Sequence, residues 1–343
     1  MKALVLEEYM QLNYKEVPLP SIDDEEVLVK VKAIGVCGSD VHGIDGSTGR
    51  RIPPIIMGHE ASGIIEKTGR LVTDWKVGDR VTFDSTIYKT DDWYTRQGMY
   101  NLSDGRMVLG VSCKEFVRNG AYADYVAIPQ HILYRLPENV SFIQAALVEP
   151  AAVALHAIEI TPFENSHTVV VVGAGMVGSF VVQLLKIKGC ENIIAIDLEN
   201  DRLELAKKLG AGFVYKPGDP DLSKKVLSLT AGRGADIAFE VVGIGTTIQT
   251  AISLLRKGGT LTVLGNLSPN VEIPLQSVVT RQIRIQGSCA INGEYPAILD
   301  LISSGALDMT SILSAEAPLS EGADWFNRFY NKEKGLMKVV LKP

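Results

Sequence analysis

The stretch Thr168-Val169-Val170-Val171-Val172-Gly173-Ala174-Gly175-Met176-Val177-Gly178 decides how this chain is built. A threonine and four valines predict a buried strand, and the apolar run Phe180–Leu185 after the glycines predicts a helix. Between them, Gly173 allows a tight turn, Gly175 lets the backbone approach a pyrophosphate, and Gly178 permits close packing of helix on strand. The N–H groups of the first helical turn, at Met176 and Val177, and the positive end of the helix dipole suit phosphate. The strand and helix are the context that such a glycine motif requires.

Working outward, Ile193-Ile194-Ala195-Ile196 predicts the next strand, and it ends at Asp197, 19 positions after Gly178. A carboxylate there suits the hydroxyls of an adenosine ribose and would repel a 2′-phosphate, which favours NAD over NADP. The alternative for Asp197 is a helix N-cap. Arg202 either lies over the adenine or is a solvated helix charge. Strand and helix patterns go on alternating through Arg202–Leu209, Asp236–Val241, Thr247–Leu255 and Thr260–Leu264. This predicts an α/β, doubly wound parallel sheet of the Rossmann type. Residues 1–85 read differently, as short strands set between glycines, and Gln144–Ile158 reads as one mostly buried helix.

The 343 residues exceed one compact core, so two domains are expected. A net charge of −6 leaves no basic footprint for nucleic acid. The longest apolar stretch, Val169–Leu185, is short for a membrane span and is broken by glycines. Cys37, Cys113, Cys190 and Cys289 are scattered and form no CxxC pair, which suits the reducing cytoplasm.

Two further motifs bear on chemistry. Gly35-Val36-Cys37-Gly38-Ser39-Asp40-Val41-His42 carries a thiol. Gly58-His59-Glu60-Ala61-Ser62-Gly63, followed by Gly69 and Val72, carries an imidazole. Thiolate and imidazole are zinc's preferred ligands, and a catalytic zinc takes three protein ligands with one position open. Alone, Cys37 could be a small buried hydrophobe and His42 a surface histidine.

Taken together, these motifs and the glycine fingerprint resemble the zinc-dependent alcohol and polyol dehydrogenases of the medium-chain dehydrogenase/reductase superfamily, over nearly the whole chain. The resemblance implies a β-rich, GroES-like catalytic domain of residues 1–150, completed by 288–343, and a Rossmann NAD-binding domain of 151–287. It implies that Cys37 and His59 are zinc ligands. The third ligand is Glu149, in Val148-Glu149-Pro150, bound directly or through water, or Glu60. Asp40 is expected to hold the second ring nitrogen of His59. Zinc would lower the pKa of a substrate hydroxyl so that an alkoxide forms near neutral pH, Ser39 and then His42 would relay the proton, and NAD would take the hydride.

The implied activity is oxidation of a secondary alcohol of a polyol or sugar-derived substrate. The alternatives are a galactitol-phosphate or threonine dehydrogenase-like activity, or a zinc-free NAD(P)H reductase. Many relatives carry a second, structural zinc on four cysteines; the matching positions here are Lys89, Asp92, Thr95 and Ser103. One zinc per chain is therefore expected, with a Lys89–Asp92 charge pair as one way to hold that lobe. Where animal-type sorbitol enzymes carry an Arg-Tyr pair, this chain has Ala290 and Ile291. The family also implies a dimer or tetramer, joined near Ile283–Gln286, and no nucleic-acid or membrane partner.

Overall fold

The computed structural model describes residues 1–343. The chain forms two compact units. One comprises Met1–Glu149, Ile291–Gly305 and Met309–Pro343; the other comprises Pro150–Ala290 and Ala306–Asp308.

The first unit is β-rich. The strand Glu26–Gly35 lies at the centre of a seven-stranded sheet, paired antiparallel with Ala61–Thr68, Tyr125–Pro129 and Lys338–Lys342. Its residues Val27, Val29, Val31, Ala33 and Ile34 are buried with Ala61, Val81, Phe83, Tyr122, Val339 and Leu341. Strand register then fixes which side chains meet. Ile34 pairs with Ala61, and Gly35 pairs with Val340. The ends of three strands thus bring Cys37, Glu60 and Lys338 to one corner, although Lys338 lies 278 residues from Glu60 in sequence.

The second unit holds a six-stranded parallel sheet. Its order is Phe213–Tyr215, Asn192–Ile196, Thr168–Val172, Ala235–Glu240, Leu255–Val263, Arg284–Gly287. All five residues of Thr168–Val172 are buried, as its run of valines predicts. The order reverses beside this strand, which is where ligands of doubly wound sheets bind. A Cβ at Gly178 would lie 1.9 Å from the carbonyl oxygen of Gly173, so the third glycine of the fingerprint is required by the approach of helix Met176–Ile187 to the loop.

Two expectations need correction. Gln144–Ile158 is not one helix but two, Phe142–Ala145 and Val148–Glu159. Ser141 and Gln144 form a reciprocal cap on the first, and Pro150 falls in the first turn of the second, where its missing N–H costs nothing. The strand expected from Thr260 begins at Leu255, past a register shift opposite Ala235–Ile237. No helix is long and apolar enough to cross a membrane.

Candidate active site

Cys37 lies just after the central strand and just before the one-and-a-half-turn helix Gly38–Gly43, whose first turns are closed by the Asp40 and Val41 N–H groups on the Cys37 carbonyl. His59 and Glu60 immediately precede the strand Ala61–Thr68, and the Gly35 N–H donates to the Glu60 carbonyl at 2.7 Å. One ligand atom from each of Cys37, His59 and Glu60 lies within 4.8 Å of the other two. Glu149 stands outside that triangle; its Oε1 accepts from Ser85 Oγ at 2.9 Å.

Within the triangle, two polar atoms are buried without a hydrogen bond: Glu60 Oε1 and His59 Nδ1. A buried carboxylate oxygen without a donor is costly, and beside a thiol and an imidazole it is suited to a cation. The other Glu60 oxygen, Oε2, is held by Lys338 Nζ, which also donates to the Val36 carbonyl at 2.9 Å. His59 Nδ1 faces Asp40 Oδ2 at 3.5 Å. Asp40 is itself wholly buried, with Arg51 Nη2 at 2.6 Å from Oδ1 and Tyr122 OH at 3.1 Å from Oδ2. Arg51 Nη2 also lies 3.4 Å from Ser39 Oγ, and Ser39 Oγ lies 3.2 Å from Cys37 Sγ. Ser39 and His42 are both exposed, on the side of the short helix that opens to solvent.

The charges leave their mark on protonation. Burial pushes the Cys37 thiol well above its ordinary range, and Glu60 adds to the rise. Burial likewise pushes the Glu149 carboxyl up to about 7, with Glu60 reinforcing it while His59 and the Ser85 hydroxyl oppose it. Such an arrangement holds protons in the absence of a cation and releases them to one.

In the second unit, the glycine loop and Asp197 meet. Asp197 Oδ2 accepts from the Ala174 N–H at 2.8 Å and Oδ1 from the Glu199 N–H at 3.0 Å. Arg202 Nη1 is 3.8 Å from Asp197 Oδ2 and 3.9 Å from where a Gly175 Cβ would be. Arg202 is thus neither free of the loop nor fully solvated. Beyond Asp197 lies an open groove of about 850 Å³, lined by Leu198, Asn200, Val214, Tyr215 and Lys216 among others.

The family models agree with this geometry. Residues 23–138 match the alcohol dehydrogenase GroES-like domain, and residues 176–304 match the zinc-binding dehydrogenase domain. Over its whole length the chain is 32% identical to the sorbitol dehydrogenase of Bacillus subtilis (strain 168), spanning 97% of that protein. The chain belongs to the zinc-dependent alcohol dehydrogenases, in their polyol dehydrogenase branch. Two solved members of similar shape carry nucleotides. A zinc-binding dehydrogenase of Sinorhizobium meliloti 1021 holds NADP; it is 28% identical with a TM-score of 0.91, over 100% of this chain and 99% of that one. An alcohol dehydrogenase of Escherichia coli CFT073 holds NADH; it is 26% identical with a TM-score of 0.91, over 100% of this chain and 99% of that one.

The four positions Lys89, Asp92, Thr95 and Ser103 fall in the segment after residue 84. At the four positions without cysteine, Asp92 is the hub. It caps the helix Trp93–Arg96 through the Thr95 N–H at 2.8 Å, accepts from the Asp104 N–H at 2.7 Å, and accepts from the Ser103 hydroxyl, which in turn takes the Lys89 N–H at 3.1 Å. The expected Lys89–Asp92 charge pair is therefore replaced by a hydroxyl and backbone donors. Led by the Ser103 hydroxyl, these donors hold the Asp92 carboxyl down to about 2. The sequence reading takes Lys338-Val339-Val340-Leu341 as a terminal strand, as found, but gives no site role to Lys338, Arg51 or Ser85. The one signal is a lysine opening an apolar strand, in Met337-Lys338-Val339-Val340-Leu341; Arg51, next to Arg50, and Ser85 carry none.

Proposed function

We propose that this protein is an NAD-dependent zinc dehydrogenase that oxidises a secondary alcohol of a polyol or sugar-derived substrate to a ketone. The observation that carries the reading is the convergence of Cys37, His59 and the unpartnered, buried Oε1 of Glu60. These donors fit zinc in kind and number and leave one position open. When bound there, zinc lowers the pKa of an alcohol hydroxyl, and a nicotinamide accepts the hydride.

The remaining work falls to the chain. Cys37, His59 and Glu60 hold the metal, with Glu149 beside them as a proton-holding carboxyl. Asp40 orients His59 through Nδ1, leaving the other ring nitrogen for the metal. Ser39 takes the proton of the substrate hydroxyl; its exposure, and its place between Cys37 Sγ and Arg51, support that role. His42, exposed one turn further along the same helix, passes the proton to solvent.

Residues 150–290 serve as the cofactor domain and the β-rich unit as the catalytic one. Gly173, Gly175, Met176, Val177 and Gly178 present backbone to the pyrophosphate, with Arg202 beside them. The two nucleotide-bound neighbours divide between NADP and NADH, so the preference for NAD rests on Asp197, a carboxylate where a 2′-phosphate would sit. One zinc per chain follows from the Asp92-centred lobe. The edge strand Arg284–Gly287, with Ile285, Leu275 and Val279 exposed, supports self-association into a dimer or tetramer. Cysteines that form no disulfide support a cytoplasmic setting.

The test is NADH formation by zinc-loaded protein against hexitols, pentitols, inositols, a hexitol phosphate, threonine and simple secondary alcohols. Preference for one stereochemical series of free polyols supports the reading, and activity confined to the phosphate, to threonine or to none of the panel overturns it. In parallel, His59→Ala is expected to abolish zinc binding and turnover while NADH affinity stays largely the same. Loss of NADH binding in that variant, with the fold intact, would overturn the division of roles.

A further inference from the structure

We propose that Lys338 is a positioning residue for the metal: it holds Glu60 by Oε2, so that Glu60 offers the metal Oε1 alone and with part of its charge already neutralised. The proposal rests on the metal reading above and concerns a residue on the last strand of the chain.

Lys338 is wholly buried, an unusual place for an ammonium, and its Nζ makes two contacts, the Val36 carbonyl and Glu60 Oε2. Neither can drift. Val36 is pinned to the same strand by its N–H on the Val339 carbonyl at 2.9 Å, and Glu60 is pinned to Gly35 by its own carbonyl. The pair fills space that only a glycine leaves open. A Cβ at Gly35 would lie 2.3 Å from Glu60 Oε2 and 2.8 Å from Lys338 Cε. Gly35, Glu60 and Lys338 therefore form one packed unit drawn from three neighbouring strands.

The consequence is an inequality between the two oxygens of one carboxylate. Oε2 is engaged by a cation; Oε1 is buried, unpartnered and within reach of the Cys37 and His59 donors. A carboxylate can bind a metal through one oxygen or two. With both, Glu60 would occupy the position a substrate oxygen needs at a four-coordinate site. The neighbouring carboxylates are held otherwise. Glu149 meets the neutral Ser85 hydroxyl, and Asp40 meets Arg51 away from the donor triangle. Lys338 thus singles out Glu60 as a one-oxygen donor.

The charge of Lys338 also has a sign. A cation beside a metal ion repels it, most strongly where water is excluded. A residue needed only for folding would, when removed, loosen the metal. The positioning role predicts the reverse: without Lys338, Glu60 binds through both oxygens with its full charge, and the metal is held more tightly in a more crowded shell.

The experiment compares wild type and Lys338→Met, each loaded with cobalt(II) for visible spectroscopy and with zinc for release to excess chelator. Wild type is expected to show the intense d–d absorption of a four-coordinate site. In K338M that absorption weakens several-fold as the coordination number rises, and zinc is released several-fold more slowly. Should K338M fail to fold, Lys338→Gln, whose amide still reaches a carbonyl but bears no charge, is read in the same way. An unchanged cobalt spectrum, or faster zinc loss from a folded variant, overturns the role of Lys338. Failure of the wild type to take up either metal overturns the metal site itself, and the two failures are told apart by the wild-type stoichiometry.

Discussion

Arg51 holds Asp40 with two nitrogens on one oxygen, Nε at 2.8 Å and Nη2 at 2.6 Å from Oδ1, and the two side chains are 4% and 0% exposed. The other carboxylate oxygen is thereby turned to His59 Nδ1 and Tyr122 OH. Removing one member of a buried pair leaves an uncompensated charge, at a cost of about 3–5 kcal/mol. Arg51→Met is therefore expected to lose stability on that scale, seen as a lower denaturant midpoint, and to release zinc faster than wild type. Arg51→Lys restores the charge but not the fork, and is expected to recover part of the stability.

Glu149 gives the metal-free protein a defined pH response. Its carboxyl is raised from 4.5 to about 7 in the fold, so between those values the folded state binds more protons than the unfolded one. Stability from this group is present below about 4.5 and is lost as pH rises to about 7. Thermal melts of chelator-treated protein are expected to fall in this window, and Glu149→Gln to flatten the fall. A wild-type and variant pair with parallel profiles would contradict the assignment.

Zinc uptake is expected to strengthen with pH, because the raised Cys37 thiol and the Glu149 carboxyl must give up protons as a cation enters. Competition with a chelator at several pH values measures the slope. Proton release into a weakly buffered solution on zinc addition measures it independently.

Asp197 both receives the Ala174 N–H and stands where ribose hydroxyls are bound in Rossmann folds. Hydrogen bonds to a charged group contribute about 1.5–3 kcal/mol. Asp197→Ala should therefore raise the dissociation constant for NADH by roughly tenfold or more, with a smaller effect on NADPH. Fluorescence titration with both nucleotides reads the ratio, which is expected to move toward NADPH.

Asp92 is expected to hold its lobe together. Asp92→Ala removes the cap on Trp93–Arg96 and the acceptor for Ser103 and Asp104 together. Limited proteolysis is expected to cut within residues 89–106 of this variant first, while bound zinc stays at one per chain. Loss of that zinc would mean that the lobe supports the metal site.

What the chain determined by itself is what lies close along it. The strand, turn and helix of Thr168–Ile187, the carboxylate at Asp197, and the thiol and imidazole of Cys37 and His59 each sit inside one short segment. Local periodicity, glycine geometry and donor chemistry are enough to read such segments. Only the tertiary structure decided which carboxylate enters the donor triangle, and that Lys338, Arg51 and Ser85 each take one acid. Those choices come from sheet register. The pairing of Ile34 with Ala61 and of Gly35 with Val340 sets which side chains share a buried corner. No local pattern encodes a contact across 278 residues, because a shift of one residue in either pairing would turn the same side chains to the opposite face.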